Sequence, residues 1–165
     1  MLLYFAYGSN MLSKRLKARV PSVVRRGIGY ICGHRLTFDK PSADGSGKCN
    51  AAATHLPEDR VYGVIYEIDP SQKAQLDRAE GLGNGYAQKN VEVISGDATA
   101  RAMIYYATRR NPSLRPYHWY KDYVLAGARE NSLPIEYIRL IESAESVEDS
   151  DASRAARAQS VLRSN

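Results

Sequence analysis

A single acid and a small polar turn are the two features of this chain whose residue types and settings could do chemistry. The acid is Glu80, which directly precedes Gly81 and lies four positions after Leu76, so the two side chains share a face if the segment is helical. An acid that follows a buried leucine inward is desolvated, and at a helix C-terminus it also meets the negative end of the dipole. Both effects raise its pKa towards the range that suits a general base. The competing reading is a surface glutamate at a fraying helix end. The turn is Tyr7-Gly8-Ser9-Asn10, placed where an apolar stretch gives way to a helical pattern. Glycine lets another group approach the backbone, and the first amides of a helix point outward with partial positive charge, so the turn can hold a carboxylate or an oxyanion. Its competing reading is a plain helix cap formed by Ser9 or Asn10.

Other reactive side chains offer less. Cys32 and Cys49, the only cysteines, match neither a metal-ligand spacing nor a disulfide framework. A cysteine-based transferase needs an ordered, electropositive setting. Cys32 instead falls in a strand pattern and Cys49 in a loop, with His55 the nearest histidine in sequence. The net charge of +5 comes largely from Lys14, Arg15, Lys17, Arg19, Arg25, Arg26 and Arg35. Such a cluster could meet nucleic acid, but no aromatic residues interleave with it as in single-strand binders, and it reads as a solvated helix face.

The elements that must position Glu80 and the turn follow from periodicity. Residues 2 to 7 read as a buried strand, and Leu12, Leu16 and Val20 mark one face of a following helix. Alternating apolar residues predict a strand from Ile28 to Phe38, with a flexible loop from Pro41 to Gly47. Asn50 to Thr54 reads as extended, and Val61 to Ile68 as an interior strand. Asp69 and Pro70 open a helix that Gly81 stops, which makes Glu80 its last residue. Strands at Gln88 to Ile94 and Arg101 to Thr108 form a hairpin through Ser95-Gly96-Asp97. Arg109 to Pro116 is loop. A helix runs from about Tyr117 to Arg129, and Ser132-Leu133-Pro134 opens another containing Ile135, Ile138 and Ile141.

Strands outnumber helices and the two are interspersed, which predicts an α+β domain over residues 1–143 with a curved, barrel-like sheet. Residues 144–165 turn polar and read as a tail, mobile or weakly helical. A chain of 165 residues, 44% apolar, can bury a core without metal or disulfide staples. Twelve tyrosines against two phenylalanines suggest a pocket partly walled by phenols. The apolar run Leu2 to Ala6 is too short for a signal-peptide core, and no stretch could span a bilayer. With two reduced thiols, this predicts a cytoplasmic protein.

The two chemical features, in this order and context, resemble the γ-glutamylcyclotransferase-like (AIG2-like) family. Leu3 to Leu12 (LYFAYGSNML) is similar to the family's opening signature, and Leu76 to Gly81 (LDRAEG) to the segment that carries its catalytic glutamate. Further likeness lies in Val61 to Tyr66 and from Tyr120 to Tyr137, and the resemblance covers most of residues 2 to 141. The stretch from Ala128 to Tyr137 points to the branch acting on γ-glutamyl amino acids. Two stretches depart from the family pattern: the loop Pro41 to Lys48, and Asn50 to Thr54, which replaces a glycine-containing strand.

The resemblance implies a small mixed β-barrel flanked by helices, no metal and no cofactor, a small-molecule γ-glutamyl substrate, and homodimers among relatives. It implies Glu80 as the catalytic proton carrier and Tyr7, Gly8, Ser9, Asn10, Met11 and Leu12 as the substrate-binding turn, with Tyr105 and Tyr120 where the family places pocket tyrosines. The reaction it implies closes the γ-glutamyl group on itself to 5-oxoproline. Alternatives are γ-glutamylamines or glutathione as substrate, or a non-catalytic module that binds an acidic partner through its basic helix.

Overall fold

The computed structural model describes residues 1–164. In chain order the strands are β1 (Leu2–Ala6), β2 (Val24–Cys32), β3 (His34–Pro41), β4 (Gly47–Ala53), β5 (Arg60–Ile68), β6 (Tyr86–Ser95) and β7 (Ala98–Ala107). The helices are α1 (Ser13–Arg19), α2 (Lys73–Glu80), α3 (His118–Glu130), α4 (Ile135–Ser143) and α5 (Ala152–Arg163). Five strands close a barrel in the order β1-β5-β2-β6-β7, and β3 with β4 forms a separate two-stranded sheet. The barrel is mixed because β7 returns to β1 in parallel, Tyr4 opposite Met103, while the other neighbours run antiparallel. The expected α+β barrel with flanking helices is therefore the fold.

Burial explains the register. β5 is apolar almost throughout because both of its faces are covered: Val61, Val64, Ile65, Tyr66 and Ile68 are all buried. The hairpin of β6 and β7 turns at Ser95-Gly96-Asp97 as its turn residues predict, with the strand ends one to three residues from the expected bounds. Asp69 caps the next helical segment, its carboxylate accepting from the Ser71 amide at 2.8 Å. A short 3₁₀ turn over Pro70–Gln72 then runs into α2.

Three expectations are corrected. The alternation from Ile28 to Phe38 spans two strands, because Gly33 adopts φ 69° and breaks the extended chain. β2 stays in the barrel, whereas β3 leaves it to pair with β4. The segment after Pro41 is a tight turn rather than a flexible loop. Ser42 N donates to Ser46 O and Gly45 N to Ser42 O, both at 3.0 Å. After Ser143, where composition suggests a mobile or weakly helical tail, α5 packs on α3. Tyr123 Oη donates to Ala158 O at 2.8 Å, and the buried Asp149 carboxylate accepts from Trp119 Nε1 at 2.9 Å and from Arg154.

Candidate active site

Leu76 is fully buried on α2, and one turn later Glu80 follows it inward, its side chain 17% exposed. Gly81, at φ 71°, ends the helix there. Two groups hold the carboxylate. Asn10 Nδ2 donates to Glu80 Oε1 at 2.6 Å, and Arg19 Nη1 donates to the same oxygen at 3.1 Å. Arg19 Nη1 also donates to Asn10 Oδ1 at 3.0 Å, which closes a triangle. Oε2 accepts no hydrogen bond from the described residues. Burial raises the Glu80 pKa above the ordinary carboxylate value, and Arg19, Asn10, Arg15 and Lys40 pull the other way.

Asn10 belongs to the predicted turn, a short 3₁₀ segment over Ser9–Met11 directly after β1 and Tyr7-Gly8. Met11 and Leu12 donate to the carbonyls of Gly8 and Ser9, so the amides of Ser9 and Asn10 lie at the open start of the turn. Gly8, Ser9 and Asn10 line a cavity of about 310 Å³ together with Glu80 and Cys49. Met11 and Leu12, expected to bind substrate, do not line it. Their side chains are buried in the core, and Met11 O accepts from Tyr66 Oη and Asn131 Nδ2, each at 3.0 Å. They hold the turn from behind.

Five phenols wall the rest of the cavity: the expected Tyr7, Tyr105 and Tyr120, and also Tyr4 and Tyr86. All five hydroxyls are tied to the protein. Tyr7 Oη donates to Tyr105 O, Tyr105 Oη to Asp77 Oδ1 at 2.6 Å, and Tyr86 Oη to Cys49 O at 2.6 Å. Tyr120 Oη accepts from Cys49 N at 3.1 Å, and Tyr4 Oη from Asn10 Nδ2 at 3.1 Å. Burial raises the pKa of each phenol, so all stay neutral at physiological pH. Burial also pushes the Cys49 thiol up to about 12, too high for a thiolate nucleophile. Among the described residues Glu80 is the one carboxylate lining this cavity.

The sequence reading missed Tyr4 and Tyr86 as wall residues and the basic side chains around the mouth. Arg15 and Arg19, read as part of a solvated face, turn towards the site instead. Their four-residue spacing on α1, next to the Leu12 and Leu16 face, is the signal that could have found them. Lys40 and Lys48 reach the mouth from the β3–β4 hairpin, which the single-strand expectation conceals.

The fold and cavity define an α+β barrel enzyme with one buried carboxylate inside a tyrosine wall. Comparison with known proteins agrees. The AIG2-like family matches residues 60–141. A γ-glutamylcyclotransferase of Bos taurus is 32% identical over 147 residues, covering 87% of this chain and 78% of that protein. The protein of the same name in Homo sapiens is 31% identical over 139 residues, covering 82% and 74%. A solved structure described as a γ-glutamyl cyclotransferase superposes with a TM-score of 0.88 at 27% identity over 98% of both chains. The chain belongs to the γ-glutamylcyclotransferase family and is a cyclotransferase enzyme.

Proposed function

We propose that Glu80 carries the proton while the α-amine of a γ-glutamyl amino acid attacks its own γ-carbonyl carbon, giving 5-oxoproline and a free amino acid. The observation that carries this reading is the free Oε2 of the cavity's one carboxylate, held by Asn10 and Arg19 through Oε1 alone. The substrate supplies its own nucleophile, so the protein's first task is to hold the bend. Fixing reacting atoms at about 3 to 3.5 Å can supply roughly 7 to 11 kcal/mol of the barrier. The phenol wall and the turn are fitted to that task.

As the nitrogen attacks, the new C–N bond forms and the amine's surplus proton passes to Glu80. The tetrahedral intermediate then collapses, Glu80 returns the proton to the leaving nitrogen, and the original amide C–N bond breaks. No water is consumed. The open amides of Ser9 and Asn10 are suited to the substrate carboxylate or to the developing oxyanion. Glutathione and γ-glutamylamines present the same scissile bond with other leaving groups.

The reading carries with it a reducing cytoplasmic setting for the two free thiols and the pairing of two copies that the family likeness implies. No helix among the described residues is long and apolar enough to cross a membrane. Incubating the purified protein with a panel of γ-glutamyl dipeptides, glutathione and γ-glutamylamines, and measuring 5-oxoproline by mass spectrometry, tests the reaction and ranks the leaving groups. Absence of 5-oxoproline from every member would refute it.

A further inference from the structure

Past Glu80 the cavity opens into a vestibule of about 540 Å³ that shares Ser9, Glu80, Tyr86 and Tyr120 with it. Its remaining border carries four cations, Arg15, Arg19, Lys40 and Lys48, beside Ser42 and Ala79. Two of these cations are neutralised within the protein. Arg19 is paired with Glu80, and Lys48 Nζ lies 2.8 Å from Asp44 Oδ2. Arg15 and Lys40 have no carboxylate within salt-bridge distance among the described residues. Arg15 Nε donates to Ser9 Oγ at 3.1 Å while its guanidinium lies 4.7 Å from the Tyr123 ring centre. Lys40 Nζ sits 4.6 Å from the centre of the Tyr86 ring, and its stem runs against Gly85. Burial lowers the pKa of both groups, as expected of cations partly removed from water. Two such charges held over aromatic faces at one mouth are completed by an anion.

The position of Glu80 says which anion. It belongs to the shared wall of both spaces, and in the proposed reaction it must reach the leaving nitrogen. The γ-glutamyl group then fills the inner cavity and the leaving group points into the vestibule. A leaving amino acid carries its carboxylate one carbon away from that nitrogen, on the basic side of the wall. We propose that Lys40 and Arg15 form an anion subsite that binds the leaving group's carboxylate and so selects γ-glutamyl amino acids over γ-glutamylamines. This rests on the assignment of Glu80 as proton carrier. Lys40 and Arg15 are specificity residues here, and Lys40 is the better probe because Arg15 also supports Ser9 of the turn.

The test compares γ-glutamyl-alanine with γ-glutamyl-ethylamide, which keeps the carbon skeleton of the leaving group and lacks only its carboxylate. The wild-type enzyme favours the alanine substrate in kcat/KM by about tenfold or more, the usual worth of a charge-assisted contact. Lys40→Met reduces that preference about tenfold, Lys40→Gln does the same, and Lys40→Arg preserves most of it. The ratio is the proper readout because losing a positive charge near Glu80 alters the base for both substrates alike. A preference unchanged in Lys40→Met and Lys40→Gln would overturn the subsite while leaving the reaction intact. Failure of the wild type to release 5-oxoproline from either substrate would instead overturn the underlying reaction.

Discussion

Asn10 and Glu80 stand 70 positions apart in sequence, and Nδ2 of the first donates to Oε1 of the second at 2.6 Å. This bond couples the turn after β1 to the end of α2, so the open amides and the Glu80 carboxylate are held as one unit. Arg19 completes the coupling by donating to both partners from α1. One carboxylate oxygen thereby fixes orientation, and the other stays available for a proton.

Glu80→Gln keeps the shape of the side chain and its bond from Arg19 but removes the base. General acid–base help is worth about 10² to 10⁴ in rate, and kcat should fall by at least the lower figure. Thermal unfolding and circular dichroism should stay close to wild type, because the amide oxygen that replaces Oε1 still accepts from Asn10 and Arg19, and the Arg19 guanidinium that loses its carboxylate remains a quarter exposed to water. Release of 5-oxoproline at a near wild-type rate would remove Glu80 from the mechanism.

The pH dependence follows from the direction of the Glu80 shift. A base must be deprotonated to work, so activity is lost as pH falls through its pKa, and burial has raised that pKa above 4.5. The acid limb of the kcat/KM profile should therefore have its midpoint above pH 4.5. Arg19 is the largest influence holding the value down. Arg19→Gln should move the limb to higher pH, whereas a purely structural loss would lower the plateau without moving the midpoint.

Gly127 on α3 decides how closely that helix approaches the turn. A Cβ placed there would lie 2.5 Å from Leu12 N and 2.7 Å from Met11 C, both backbone atoms that cannot step aside alone. Gly127→Ala should push the turn away from α3, costing about 1–3 kcal/mol of stability as overpacking does. Since Asn10 rides on the same turn, kcat/KM should fall as well, by roughly tenfold or more. Chemical denaturation and steady-state kinetics on the one variant read both effects. A stable variant with normal kinetics would show that the turn is held elsewhere.

The legible parts of this protein were those written in local chemistry. Asp69-Pro70 and Gly81 bracket α2 by cap and stop signals, and the Leu76 spacing directs Glu80 inward without any knowledge of the sheet. The alternation in β6 and β7 and the turn between them are equally local. What escaped depends on contacts that spacing cannot encode. Gly33 looks like one polar-face position of a continuous strand, yet its left-handed backbone sends β3 out of the barrel and carries Lys40 and Lys48 to the mouth. Met11 and Leu12 share a motif with Gly8 and Ser9, but the turn rotates them into the core, where α3 covers them. The segment after Ser143 is polar in composition. It docks through one buried acid, Asp149, whose partners Trp119 and Arg154 lie 30 residues before it and 5 after.

The β3–β4 turn gives a stability prediction with a definite sign. Burial alone would raise the Asp44 pKa, but hydrogen bonds from Lys48 and Ser46 and the Lys48 charge outweigh it and bring the value to about 2. The bonds are short: 2.8 Å from Lys48 Nζ, 2.6 Å from Ser46 Oγ and 3.0 Å from Ser46 N. A carboxylate whose folded pKa is depressed adds stability that is complete above its unfolded value of 3.8 and disappears as pH falls towards 2. The gap corresponds to about 2 kcal/mol, and with the side chain only 16% exposed, solvent screening takes little from it. Urea unfolding of the wild type between pH 5 and pH 2, on the order of the pKa values involved, should show this loss. Asp44→Asn should start lower by about the same amount and lack that part of the slope. Parallel curves for the two proteins would mean that the turn's ion pair contributes nothing net, as many surface pairs do.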